Sequence, residues 1–268
     1  MVLESILNPR NAEDKPLHVF VITLLYSLIA ILFANQLFPS QASILAIALI
    51  TIVFVPFFQK LFEMEEKKED LAAEDKIKEN LFARHKKIIS VFSAFFLGII
   101  IAMSFVFIFF PSENIFSLQS DTIRSFSAAA TLEGDFMRFF LNNTQVMVLM
   151  FILSAMFGAG AIFVLAWNAS VIAVYVGLII KSLIGKGLEA GAAYLYGVPV
   201  GLGSIALHGI PEIAAYFVAG LAGGILSVGI IREEVMSREF KKIFRDSLIL
   251  LVFAEALIIF AALIEAVF

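Results

Sequence analysis

Apolar residues fall along this chain in long blocks separated by short charged stretches. Six blocks, residues 17–37, 42–58, 88–110, 144–166, 168–184 and 247–268, are long enough to cross a bilayer as helices. About 20 apolar residues span the ~30 Å of hydrocarbon, so each block predicts one transmembrane helix. A seventh apolar region, 188–231, is about twice that length and is interrupted by His208-Gly209-Ile210-Pro211. Gly and Pro together predict a break in the helix there, with one spanning helix after Pro211 and a re-entrant or surface-lying helix before it. The short segment 168–184 is the other candidate for the re-entrant element.

The composition fits this pattern. The chain has 268 residues, 61% of them hydrophobic and 16% charged, with a mean hydropathy of +0.97. A soluble domain carries about a quarter charged residues. The 29 phenylalanines suit lipid-facing and helix-packing surfaces and point to no ligand. Having no cysteine, the chain offers no disulfide, no thiolate nucleophile and no Cys-ligated metal site.

The net charge is −4, but orientation depends on where the basic residues lie. Fifteen of the 19 Lys and Arg fall before the first span, between the second and third spans, or just before the last one. Placing these segments in the cytoplasm leaves only Arg124, Arg138, Lys181 and Lys186 outside. The N-terminus is then cytoplasmic and the C-terminus outside. An odd number of crossings must lie between loop 111–143 and segment 232–245, which gives about seven in all. Glu4, Glu13 and Asp14 before the first span argue against a basic signal-peptide n-region, so that span is expected to be a retained anchor.

The charged stretch 60–87 balances eight acids against eight bases, and it predicts a solvated helical extension rather than a nucleic-acid-binding tail. Glu63/Lys67 and Glu74/Lys78 sit at i,i+4 in the favourable order. Arg84-His85-Lys86-Lys87 abuts the third span and predicts a headgroup anchor. Within the long outer loop, Phe136, Phe139 and Phe140 predict a short helix lying on the membrane surface. Asn142-Asn143-Thr144 matches the N-glycosylation pattern but touches a span, which discounts it.

Fourteen of the 16 glycines lie between Gly158 and Gly229. Gly187/Gly191, Gly197/Gly201 and Gly220/Gly224 have GxxxG spacing, and Gly158, Gly160, Gly209 and Gly223 add further small positions. Small faces let helices approach closely, either within one chain or along a homodimer seam after Pro211. The ionisable residues His208, Glu212 and Glu255 lie inside apolar regions, where such groups are expensive. Four readings of His208 and Glu212 stand open: a structural lock at the helix start, a proton or ion path, a metal site, or hydrolysis. A complete ligand set is not apparent, and neither HExxH nor GxSxG occurs, so no metal, cofactor or catalytic residue is expected. Glu255 needs a buried donor, and His208 and Lys181 are the candidates. Asn168 follows Trp167 at the junction of two spans, where its tolerance of left-handed backbone suits a tight turn.

Several of these residues also occur in order in a known family. Asn142-Asn143, Gly158-Ala159-Gly160, Asn168, His208-Gly209-Ile210-x-Glu212, Ala219-Gly220 and Gly223-Gly224 resemble the stage II sporulation protein M family. The family usually has a proline directly before the histidine; here that position is Leu207, and a proline stands at Pro211 instead. The resemblance implies an all-α, polytopic prokaryotic membrane protein of the cell membrane. It further implies a scaffold for envelope partners rather than an enzyme. The expected organisation is a two-span hairpin (1–59), a charged helical linker (60–87), a family-like core (88–231) and a basic segment with the last span (232–268). Expected partners are membrane lipids, a second copy of the chain, or a membrane or envelope protein, and not nucleic acid. A small transporter or channel using His208, Glu212 and Glu255 is the alternative function.

Overall fold

A helix pairs every backbone group within its own segment, which is why apolar runs in a membrane fold this way. The computed structural model describes residues 8–74, 79–110, 115–130, 136–234 and 237–267, and among them there is no strand. The short α1 (Pro9–Ala12) leads into α2 (Pro16–Leu37) and, through a 3-10 turn at Pro39–Gln41, into α3 (Ala42–Ala73). Then come α4 (Leu81–Phe109), α5 (Ser117–Ala130), α6 (Phe136–Phe157), α7 (Ala161–Gly185), α8 (Ala190–Arg232) and α9 (Arg238–Val267). Seven of these, α2, α3, α4, α6, α7, α8 and α9, are long and apolar enough to cross a membrane.

Both α3 and α4 outrun the hydrocarbon. The 32 residues of α3 extend ~48 Å, and all its charged residues lie at or beyond Lys60. In α4 the charges stop at Lys87. The crossing parts are therefore 42–58 and 88–109, and the remainders project together from one end of the bundle, here called the charged end.

The core is built on phenylalanine. Phe54, Phe57, Phe58, Phe92 and Phe95 are all fully buried. Phe92 stacks between Phe58 at 5.2 Å and Phe217 at 5.4 Å, which joins α3, α4 and α8. Outward faces carry Leu25, Ile29, Val252 and Phe260, each more than half exposed, as suits a surface wetted by acyl chains.

Three expectations about the backbone are corrected. First, α8 runs unbroken through His208–Pro211 for 43 residues, with both Pro199 and Pro211 inside it. Each proline denies one bond to a carbonyl four residues back, whereas ending the helix in hydrocarbon would orphan several groups at each new end. Neither 168–184 nor 188–207 is re-entrant: the first belongs to α7 and the second, from Ala190 on, to α8.

Second, the turn between α6 and α7 lies at Gly158–Gly160, not at Asn168. Gly158 has φ +65°, a conformation that glycine adopts without strain. Asn168 instead continues α7 and donates Nδ2 to the Val164 carbonyl at 2.8 Å. Third, Phe136, Phe139 and Phe140 open the spanning helix α6, and the short amphipathic helix is α5. Gln119 of α5 is fully buried; it accepts from Ser43 at 2.5 Å and donates to Ser170 at 3.1 Å, pinning α5 to α3 and α7.

The α7–α8 turn has a Schellman geometry, with Gly187 (φ +97°) donating to Ile184 and Leu188 to Leu183. Glu189 then caps α8 by accepting from Ala192 N at 3.1 Å. Further along α8, a Cβ at Gly223 would fall 2.4 Å from the Phe151 carbonyl, so only glycine allows that approach to α6. Gly203 by contrast faces open space. Gly223→Leu should therefore destabilise the fold by about 2 kcal/mol or more through overpacking, and Gly203→Leu should change it by less than about 0.5 kcal/mol. Thermal melting of the detergent-solubilised protein checks both.

Candidate functional site

The apolar regions predicted one polar site around His208; the fold distributes those residues among separate contacts. His208 is half-buried on α8 between the strongly exposed Leu207 (66%) and Ile210 (65%), and it makes no hydrogen bond or ion pair among the described residues. It therefore neither locks Glu212 nor supplies a donor to Glu255. Glu212 instead accepts from Tyr216 Oη at 2.8 Å, one helical turn away. Tyr216 is fully buried, and its hydroxyl also lies 3.4 Å from Asn143 Oδ1, which accepts from Asn142 Nδ2 at 3.0 Å.

Beside this group, Thr144 Oγ1 donates to Glu255 at 3.1 Å. Lys181, the other donor considered for Glu255, sits over the Phe107 ring at 3.9 Å. The sequence motifs Asn142-Asn143-Thr144 and Glu212 thus converge where α6 meets α8 and α9, while His208 and Asn168 stay outside the group.

Most of the candidate packing glycines sit against other helices of the same chain. Ser154 Oγ lies 2.6 Å from the Gly158 carbonyl and 2.8 Å from that of Gly220, joining α6, the turn and α8. A Cβ on Gly160 would strike the Leu153 carbonyl at 2.3 Å, one on Gly220 would meet Ala161 at 3.1 Å, and one on Gly224 would strike the Phe62 ring at 2.6 Å. The face that was a candidate dimer seam is filled from within. Gly209 differs: no other helix lies within 4 Å of its Cβ position. It lines a cavity of about 500 Å³ between α4, α7 and α8, bounded by Phe96, Ile100, Ile172, Ile213 and Phe217.

Sequence reasoning missed the larger polar assembly, at the charged end. Segment 60–73 was expected to be solvated, yet Glu65, Glu66 and Glu69 are all 1% exposed or less. They continue the buried stripe of α3 that runs through Phe54, Phe58, Leu61 and Phe62. Arg84 donates to both oxygens of Glu69 at 2.9 Å and to Asp246 of α9 at 3.1 Å. His85 is clamped between two carboxylates, with Nδ1 on Glu65 and Nε2 2.6 Å from Glu69. Lys242 reaches Glu69 at 3.2 Å and Asp246 at 2.5 Å, and Lys68 joins Glu65 at 2.6 Å to Glu13 at 3.0 Å. Glu63, expected to pair with Lys67, meets Arg232 at 3.0 Å instead. Lys78, the expected partner of Glu74, lies outside the described residues.

These groups lie beyond the hydrocarbon-crossing parts of their helices, and their proton affinities follow their neighbours. Burial pushes Glu69 up, but His85, Asp246 and Arg84 outweigh it and hold the carboxyl below its usual range. Burial pushes His85 down, yet its bonds to Glu65 and Glu69 raise it above the ordinary imidazole value. Burial, reinforced by the charge of Asp70, pushes Glu66 up to about 7.

A protein-family model, described as stage II sporulation protein M, matches residues 88–268. The chain belongs to the stage II sporulation protein M family. No curated protein and no solved structure matches it. As a member of this family, the chain is a multi-pass membrane protein whose α1–α3 precede the matched region. The charged network runs across that boundary: Glu63, Glu65, Glu66, Glu69, Arg84 and His85 lie before residue 88, and Arg232, Lys242 and Asp246 lie after it. In this family member the network fastens the N-terminal hairpin to the rest.

Titration of these groups sets a stability optimum. Glu65 and Glu69, both held low, contribute stability above the ordinary carboxyl value of 4.5 and lose it as pH falls. His85, held high, contributes below 6.5 and loses it as pH rises through its raised value. Glu66, raised to about 7, binds its proton more tightly when folded, so stability also falls as pH climbs from 4.5 to 7. In chelator-treated protein the melting temperature should peak at about pH 4.5–5 and drop by several degrees by about pH 8. Glu66→Gln should remove much of the drop; a flat profile in the parent protein contradicts the assignment.

Proposed function

We propose that the protein is a non-enzymatic membrane scaffold or assembly factor of a prokaryotic cell membrane. The charged end and the N-terminus face the cytoplasm and the C-terminus lies outside. The positive-inside bias supports that orientation, because basic residues it relies on, among them Lys68, Arg84, Lys87, Arg232 and Lys242, find their partners at this end.

One observation carries the reading: each carboxylate inside the bundle accepts a hydrogen bond from a neighbouring hydroxyl, and the intramembrane histidine stands apart from both. Glu212 is held by Tyr216 and Glu255 by Thr144, and His208 joins neither. A transport site needs such groups to share a wet route. The cavity beside α8 is bounded mainly by apolar side chains and suits packing or acyl chains instead. With Gly220, Gly223 and Gly224 occupied internally, a second copy or an envelope partner would dock on other, lipid-facing surfaces.

Reconstitution into vesicles loaded with a pH-sensitive or potassium-sensitive dye tests this. Proton and cation flux should be indistinguishable from that of protein-free vesicles. Flux that appears with the protein and vanishes in Glu212→Gln or Glu255→Gln, at unchanged melting temperature, would replace the scaffold with a transporter.

A further inference from the structure

Beside the clamp around His85 lies a second group of acids with a different character. Glu66 and Asp70 stand one turn apart on α3, and Glu233 caps the C-terminus of α8, its N–H donating to the Gly229 carbonyl at 2.9 Å. One carboxylate oxygen from each of the three lies within 4.8 Å of the other two. Three acids this close repel one another unless one takes a proton or a cation sits among them.

Arg232 offsets part of that repulsion, since its charge attracts both Glu66 and Asp70, but it leaves oxygens of the group unpaired. It bonds Glu63 at 3.0 Å and one oxygen of Glu66, Oε2, at 3.4 Å. Oε1 of Glu66, on a side chain with no solvent exposure, and the buried Oδ1 of Asp70 receive no hydrogen bond. Buried polar atoms are nearly always paired, so two unpaired carboxylate oxygens in one cluster point to an absent partner. The charges of Glu239 and Glu74 also fall on Asp70 and deepen the negative potential there. Asp70 and Glu233 are only part-buried, which leaves an approach from water.

We propose that Glu66, Asp70 and Glu233 form a binding site for a hard divalent cation, of the magnesium, manganese or calcium class, at the charged end of the bundle. The donor set is all carboxylate oxygen, with neither imidazole nor thiolate, which selects hard cations over zinc or copper. The oxygen spacing suits a single ion with ligands at ~2.0–2.6 Å after slight inward closure, with water completing its shell. Such an ion joins α3, from the N-terminal hairpin, to the α8–α9 corner of the family core. It therefore acts as a clasp alongside the Arg84–Glu69 pair.

Manganese(II) titration of the full-length, chelator-stripped protein in detergent, followed by electron paramagnetic resonance, tests the site. The expected result is one saturable Mn²⁺ per chain. Affinity should drop at least about tenfold in Asp70→Asn and in Glu233→Gln. Calcium or magnesium should raise the melting temperature of the parent protein and leave that of the variants unmoved. Glu233→Gln, at a part-exposed cap, should melt like the parent protein in chelator, so lost binding there is not lost folding. Absence of saturable binding in the parent, or affinity in both variants equal to the parent's, overturns the proposal.

Discussion

Backbone hydrogen bonding in hydrocarbon is the constraint to which the rest of this fold answers. With no water to satisfy a freed N–H or carbonyl, a helix that enters the membrane does better to continue than to stop. This keeps α8 whole across two prolines and makes it the axis against which α3, α6, α7 and α9 pack. A continuous α8 in turn needs faces small enough for its neighbours. The run of buried residues from Ala215 to Gly229, rich in alanine and glycine, provides them. Close approach then makes van der Waals contact the cohesive force between helices, since lipid tails are as apolar as the side chains they would replace.

Cohesion of another kind holds the charged end. Removing carboxylates and a guanidinium from water is expensive, and their mutual attraction roughly offsets the penalty rather than exceeding it. What such a network provides is register. Arg84 can satisfy Glu69 and Asp246 together only when α3, α4 and α9 stand at one height and rotation. A hairpin outside the family match is thereby held in a single position on the core, with His85 as a second fixed point between Glu65 and Glu69.

Much of the fold was legible as block lengths. Apolar runs near 20 residues gave the spans, and the bias of Lys and Arg required an odd crossing count that a seventh helix satisfies. What misled was local chemistry. Gly209 and Pro211 look like a break by soluble-protein rules, and Asn168 looks like a turn residue, but the hydrocarbon overrules both preferences. The charged end was misread for the opposite reason. Its balanced charges suggested solvation, although Glu65, Glu66 and Glu69 lie on the same helical stripe as Phe58 and Phe62. Extending that apolar periodicity past Phe62 would have found them. The Tyr216–Glu212 contact was within reach at i,i+4, whereas the pairing of Thr144 with Glu255 joins distant segments and left no local signal.

The length of α8 has a consequence of its own. Forty-three helical residues make a rod of ~64 Å, about twice the thickness of the hydrocarbon. Ordinary tilts of ~20° do not absorb such a mismatch; Tyr194, near its start, still packs on Phe105 and Phe109 within the crossing part of α4, whereas Gly224 already meets Phe62 beyond that of α3, so the excess projects at the charged end. How much of that spar is wetted then depends on the bilayer as well as on the chain. A thicker membrane swallows more of it and a thinner one strands more, which couples the charged end of the protein to the lipid composition around it.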